Sequence, residues 1–155
     1  QGLVFSSGSR MGFSRGDPKL LIDDVLALRP TVFCGVPRVF QKVYDRVQDQ
    51  VATSSWARRK LFEHCYATKR DAHRAHTPQV VPWWMDAVVF SKIKERLGGR
   101  VRLILSGTAP LSAELHEFLE ICFCAPVVQG YGLSETCAVT SVPDESLWGR
   151  AEGTC

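Results

Sequence analysis

The chain lacks a C-x-x-C pair, an internal repeat, a low-complexity tract and any apolar run near the roughly 18 residues of a membrane span. Each absence removes a class. Its six cysteines, Cys34, Cys65, Cys122, Cys124, Cys137 and Cys155, mostly sit in apolar runs, where a reduced thiol behaves as a small hydrophobe. They read as free thiols of a reducing compartment. A net charge of +3 is too small to argue for nucleic acid. The N-terminal Gln-Gly-Leu-Val-Phe has no initiator Met and no charged region before an apolar core. The expectation is therefore no signal peptide and the middle of a longer chain. What is present is ordinary globular material: 155 residues, 45% hydrophobic and 23% charged, enough for one sizeable core.

Punctuation and periodicity predict the elements. Asp17-Pro18 opens a helix carrying Leu21, Val25 and Leu28 at helical spacing, closed by Arg29-Pro30. Residues 31–36 read as a buried strand. Pro37 opens a second helix with Val39, Phe40, Val43, Tyr44, Val47 and Val51 as its stripe. After Thr53-Ser54-Ser55, residues 56–75 form a third helix with Leu61, Phe62, Cys65 and Tyr66 on one side. A helix over 84–97 turns Val88, Val89, Ile93 and Leu97 inward and stops at Gly98-Gly99. Strand 101–105 ends in the loop 106–110. Ser112 caps a helix with Leu115, Phe118, Leu119 and Cys122 inward and His116 on its exposed side. Strand 126–129 and a final strand at 138–142 complete the order. Helices between strands imply an α/β fold with a partial, mainly parallel sheet and crossover helices. Ligands of such sheets bind beyond the C-terminal strand ends, where the loops 106–110 and 129–136 both fall. If their strands are neighbours, the loops line one crevice.

The second loop, Gln129-Gly130-Tyr131-Gly132-Leu133-Ser134-Glu135-Thr136, concentrates useful chemistry. Gly130 and Gly132 bare the backbone to a flat ligand. Tyr131 can stack on a purine while its hydroxyl reaches water. Ser134 can donate to a phosphate oxygen, and Glu135 is a hard oxygen ligand suited to Mg²⁺. The same residues also suit a glycine-rich turn with a capping Ser and a Glu facing a helix dipole. The residues alone leave both readings open. The first loop, Ser106-Gly107-Thr108-Ala109-Pro110, is small enough for a ligand to lie against its backbone, or is a plain turn into a helix.

Together S-G-T-A-P-L, an intervening helix and Q-G-Y-G-L-S-E-T resemble the adenylate-forming (AMP-binding) acyl-CoA synthetases. G-D-P-K-L-L-I-D-D-V-L-A-L-R-P-T-V-F-C-G-V-P-R-V-F at 16–40 and V-F-S-K-I-K-E-R-L-G-G-R-V-R-L-I-L-S-G at 89–107 resemble the long-chain fatty-acid subgroup of eukaryotes. The resemblance covers nearly all of 12–143. It implies that residues 1–155 are part of one AMP-binding domain, a slice of the large N-terminal domain, with 53–82 a helical, basic excursion. It implies that Gln129, Gly130 and Tyr131 contact adenine, with Gly107, Thr108 and Ala109 as the opposite wall. Ser134 would touch the α-phosphate and Glu135 would hold Mg²⁺; Ala109, Gly132 and Ala138 would lie near the acyl head. Thr108 departs from the small Gly or Ala usual there, which narrows the slot or adds a hydrogen bond. The implied substrates are ATP, a fatty acid and CoA.

No phosphate loop ending in Lys is present, since Ser6-Ser7-Gly8-Ser9-Arg10 matches poorly. By the resemblance, the ribose-binding Asp and the C-terminal domain with its Lys lie past residue 155, so this piece alone is expected to be inactive. Two further readings stay open: a ligase for an aromatic or shorter acid, and a nucleotide-binding or scaffolding module without catalysis. An apolar acyl tunnel would draw on Phe33, Val36 and Val128. The expected location is the cytoplasmic face of the endoplasmic reticulum or the peroxisome.

Between 53 and 76, Arg58, Arg59, Lys60, Lys69, Arg70 and Arg74 stand against Glu63 and Asp71. With Trp56, Trp83 and Trp84 they suggest peripheral membrane contact through 56–84, although most charge runs are solvated faces. His64, Cys65, His73 and His76 have no second pair at ligand spacing, which argues against zinc.

Overall fold

A computed structural model describes residues 6, 8–17, 20–75 and 81–132. Helix α1 (Leu21–Leu28) buries Val25 and ends where Arg29 takes a left-handed φ of 50°. Strand β1 (Val32–Gly35) follows. Helix α2 (Pro37–Thr53) has Pro37 in its first turn, where a missing N–H costs no helical bond. It buries Phe40, Val43 and Val47, one stripe at i, i+3, i+7. Helix α3 (Trp56–Arg74) buries Cys65 and Ala72.

The single helix expected over 84–97 is a composite. Helix α4 (Trp83–Met85) runs into a π-helical turn (Asp86–Phe90), helix α5 (Ser91–Lys94) and a 3-10 turn (Glu95–Leu97). The wide π turn shifts the facing, so Val88 is exposed, against the expectation, while Met85, Phe90, Ile93 and Leu97 are buried. Leu28 of α1 is likewise exposed rather than core. Gly98 stops the composite with φ 84°. A Cβ there would come within 2.7 Å of the Arg29 Cα, so the stop is also a close chain crossing.

Strand β2 (Leu103–Ser106), helix α6 (Ala113–Phe123) and strand β3 (Val127–Gln129) complete the described elements. The sheet order is β1-β2-β3, with both pairings parallel. The expected parallel sheet is therefore present, with the 101–105 and 126–129 strands as neighbours. The expected strand at 138–142 lies outside the described residues. Helix α6 packs on β3 and against α2 and α3. Enclosed this way, it buries Leu115, His116, Glu117, Phe118, Leu119, Ile121, Cys122 and Phe123. The expectation of an exposed His116 is therefore corrected: a helix covered on several sides has no free face to give it. Cys124 closes the helix with a left-handed φ of 49°.

Candidate active site

The register aligns Gly35, Ser106 and Gln129 across the C-terminal ends of the three strands. Each strand end then holds the next: the Gly107 N–H donates to the Gly35 carbonyl at 3.3 Å, and the Gly130 N–H donates to the Ser106 carbonyl at 2.9 Å. The two loops leave the sheet side by side. A Cβ placed on Gly107 would lie 3.9 Å from the Gly130 carbonyl oxygen, so the two glycines stand in van der Waals reach. This is the juxtaposition expected of a crevice at the end of a parallel sheet.

Among the proposed ligand-facing residues, Thr108, Ala109, Tyr131 and Gly132 are exposed, and Gly107 and Gly130 are half-buried. Tyr131 keeps 51% of its surface accessible, a ring available to stack on a flat partner. Thr108 holds φ 72°. A β-branched residue there is strained, because its Cβ crowds the carbonyl that a Gly would clear. Ser134, Glu135 and Ala138 lie outside the described residues.

Gln129 turns its side chain into the protein. It is buried, and its Oε1 accepts the Leu111 N–H at 3.0 Å. Its Nε2 stands 3.1 Å from His116 Nδ1. The amide thus ties β3 to the end of the first loop. Past Leu111, the Ser112 hydroxyl accepts the Leu115 N–H at 3.3 Å and starts α6, as expected. The Ser106 hydroxyl, beside this junction, is buried with no hydrogen-bond partner among the described residues.

Behind Gln129 lies a polar chain that the sequence reading missed. His116 Nε2 approaches Glu120 Oε1 at 3.4 Å, and His73 Nε2 approaches Glu120 Oε2 at 3.0 Å. The Val127 N–H donates to Glu120 Oε1 at 3.1 Å. Burial alone would raise the Glu120 carboxyl. Hydrogen bonds from His116, His73 and the Val127 amide outweigh it and hold the group down at about 2. The available signal was the i, i+4 spacing of His116 and Glu120 within a helix rich in apolar residues.

The basic stretch of α3 divides. Lys69 turns inward, with its Nζ 2.6 Å from Asp86 Oδ1, 3.1 Å from the Ile121 carbonyl and 4.6 Å over the Phe90 ring. Arg74 forms a two-pronged pair with Glu117. Arg59 and Lys60 pair with Glu63 on the surface. Trp56 and Trp83 are strongly exposed. No helix among the described residues is long and apolar enough to cross a membrane. Cys34, Cys65, Cys122 and Cys124 are free thiols, and burial pushes the Cys122 thiol well up. Phe33 and Val128 are packed into the core, while Val36 is exposed.

A cavity of about 720 Å³ between α2, α3 and α6 is lined by Tyr44, Phe62, Tyr66, Arg70 and Glu117 among others, and by none of the loop residues above. No group of three or more His, Cys, Asp or Glu among the described residues is arranged to hold a metal ion. The described residues therefore do not test Mg²⁺, whose expected ligand Glu135 lies outside them.

The family profile described as AMP-binding enzyme matches residues 2–155. "Long chain acyl-CoA synthetase 3" of Arabidopsis thaliana is 43% identical over 146 residues, which is 92% of this chain and 22% of that protein. "Long chain acyl-CoA synthetase 7, peroxisomal" of the same plant is 45% identical over 139 residues, 89% of this chain and 19% of that protein. The chain thus spans about a fifth of the length of these relatives. Among solved structures, the adenylation domain of a carboxylate reductase from Mycobacterium chelonae aligns with a TM-score of 0.52. It is 23% identical and covers 89% of this chain and 18% of that one, a likeness of fold.

Proposed function

Because this chain belongs to the AMP-binding enzyme family, we propose that it forms the adenine-side wall of a site that activates a long-chain fatty acid with ATP and passes it to CoA. The observation that carries the reading is the meeting of the two small-residue loops at the sheet edge, Gly107 against Gly130, with Tyr131 exposed beside them. The named relatives, long-chain acyl-CoA synthetases at 43% and 45% identity, supply the substrate class.

In this reading adenine enters between the backbone of 107–109 and that of 129–131 and stacks on Tyr131. Gly107, Ala109, Gly130 and Gly132 matter for what they lack, since a larger side chain would fill the slot. Ser134 touches the α-phosphate, Glu135 holds Mg²⁺, and Ala138 lies near the acyl head. A carboxylate oxygen of the fatty acid attacks the α-phosphorus, the bond to the bridging oxygen breaks, and pyrophosphate leaves with the electron pair. The CoA thiolate then attacks the acyl carbon of the adenylate and AMP departs. Anionic oxygens crowd together in the first step, so positioning and fixed donors carry much of the catalysis. Residues 1–155 form part of one such domain. The cytoplasmic face of the endoplasmic reticulum or the peroxisome is the proposed location.

The test is acid-dependent exchange of labelled pyrophosphate into ATP by the full-length protein, with acids of graded length. Exchange that rises toward long chains supports the reading. Exchange with aromatic or short acids only would overturn the substrate class, and none with any carboxylate would overturn the activity.

A further inference from the structure

We propose that Lys69 and Cys124 form an oxidative modification site, where a peroxide joins Lys69 Nζ to Cys124 Sγ through one oxygen atom, independently of the adenylate reading above. Nζ lies 2.6 Å from Sγ. The same nitrogen stands 3.1 Å from the Ile121 carbonyl oxygen, so it is closer to the sulfur although sulfur is the larger atom. A spacing of 2.6 Å suits two atoms bonded to a common third. In the backbone, two such atoms lie about 2.5 Å apart across N–Cα–C. A single bridging oxygen therefore fits the pair as it stands, whereas a direct S–N bond requires the two atoms to close in.

Both side chains are fixed at the spot. Cys124 closes α6 in the left-handed conformation, φ 49°, and its Sγ lies 3.6 Å from the Ile121 carbonyl. Lys69 reaches it from α3, 55 residues earlier in the chain. Its Nζ is held by Asp86 Oδ1 at 2.6 Å and lies 4.6 Å over the Phe90 ring. The Lys69 side chain keeps 15% of its surface accessible and Cys124 is half-buried, so a molecule as small as hydrogen peroxide reaches the pair. The neighbouring thiol of Cys122 is fully enclosed.

The chemistry consumes two equivalents of peroxide. The Cys124 sulfur attacks one peroxide oxygen, the O–O bond breaks, and a sulfenic acid and water result. Lys69, its ammonium proton passed through Asp86 to water, attacks the second peroxide in the same way and becomes a hydroxylamine, with release of water. The hydroxylamine oxygen then attacks Sγ. An S–O bond forms, the bond from sulfur to its hydroxyl breaks, and water leaves. Sulfur and nitrogen each give up two electrons, and these reduce the two peroxides. The product ties α3 to the end of α6, where only Ala125 and Pro126 separate Cys124 from β3.

The experiment treats the full-length protein with hydrogen peroxide, digests it with trypsin in the absence of reductant and maps the peptides by mass spectrometry. The expected product is a peptide pair linked at Lys69 and Cys124, heavier than the two peptides together by one oxygen and lighter by two hydrogens. Trypsin should fail to cut after Lys69 in that product. The pair should be lost in Cys124→Ser and in Lys69→Arg, which keeps a cation beside Asp86. It should persist in Cys34→Ser, which removes an exposed thiol. Cys124 carried on to sulfinic or sulfonic acid with Lys69 unmodified would overturn the proposal, as would a Cys122–Cys124 disulfide or a Cys124 left unoxidised. A linked pair without the added oxygen would overturn the bridge in favour of a direct S–N bond. The wild-type map decides each of these outcomes whether or not the variants fold.

Discussion

The side-chain carbonyl of Gln129 accepts the backbone N–H of Leu111 at 3.0 Å, so the residue that opens one loop holds the far end of the other. Removing that acceptor leaves the buried Leu111 N–H unpaired. Gln129→Ala should cost about 1–3 kcal/mol in unfolding free energy and weaken ATP binding in the same protein. Chemical denaturation and equilibrium binding check the two effects. A loss of stability with ATP affinity unchanged would separate the tether from the site.

Tyr131 presents an exposed ring next to two glycine-lined strand ends. Removing a ring that stacks on a base typically costs about 1–3 kcal/mol. Tyr131→Ala should therefore raise the dissociation constant for ATP by about 5- to 150-fold, whereas Tyr131→Phe, which keeps the ring, should stay within a few-fold. Isothermal titration of both variants checks this. Equal losses in the two would assign the effect to the hydroxyl rather than to stacking.

Glu120 predicts an acid dependence. Its carboxyl is held at about 2, below the ordinary 4.5, by bonds made only in the folded chain. A depressed carboxyl contributes stability that is complete above the unfolded value and is lost as pH falls through the folded one. The wild-type unfolding free energy should accordingly fall between about pH 4.5 and pH 2. Glu120→Gln, less stable at neutral pH, should have a shallower slope across the same window. Urea unfolding at a series of pH values reads both.

Gly98 combines φ 84° with a 2.7 Å approach of its would-be Cβ to the Arg29 Cα. Arg29 Nε also donates to the Gly98 carbonyl at 3.0 Å, so the crossing is a fixed contact between α1 and the end of the composite helix. Gly98→Ala must distort one backbone or the other and should destabilise the protein by at least about 1 kcal/mol. Thermal unfolding checks it. The neighbouring Gly99, with φ 71° but only a 4.0 Å nearest contact, should cost less when changed to Ala.

Much of this architecture was legible in the sequence because it follows local rules. Pro37 at a helix start, Ser112 as a cap, Gly98 as a stop and the β-branched runs of β1 and β3 each depend on neighbours in the chain. The parallel pairing followed from the alternation of strands and helices. What local pattern could not give was the environment supplied by distant segments. His116 reads as surface from its own helix, yet α2, α3 and the sheet close around that helix. Lys69 reads as part of a basic face, yet Asp86, 17 residues on, and the Ile121 carbonyl draw it inward. Val88 reads as core until a π turn changes the helical period. At the candidate site the motif indicated which loops matter. It did not indicate that the Gln129 side chain would accept the Leu111 N–H and so tie the two loops together.

In the proposed site the 107–111 and 129–132 loops form the two sides of one adenine slot. Photolabelling of the full-length protein with 2-azido-ATP, followed by peptide mapping, tests it most directly. Covalent label is expected on peptides containing Ala109 or Tyr131, abolished by excess ATP. ATP-protected label confined to peptides that contain neither loop would contradict it.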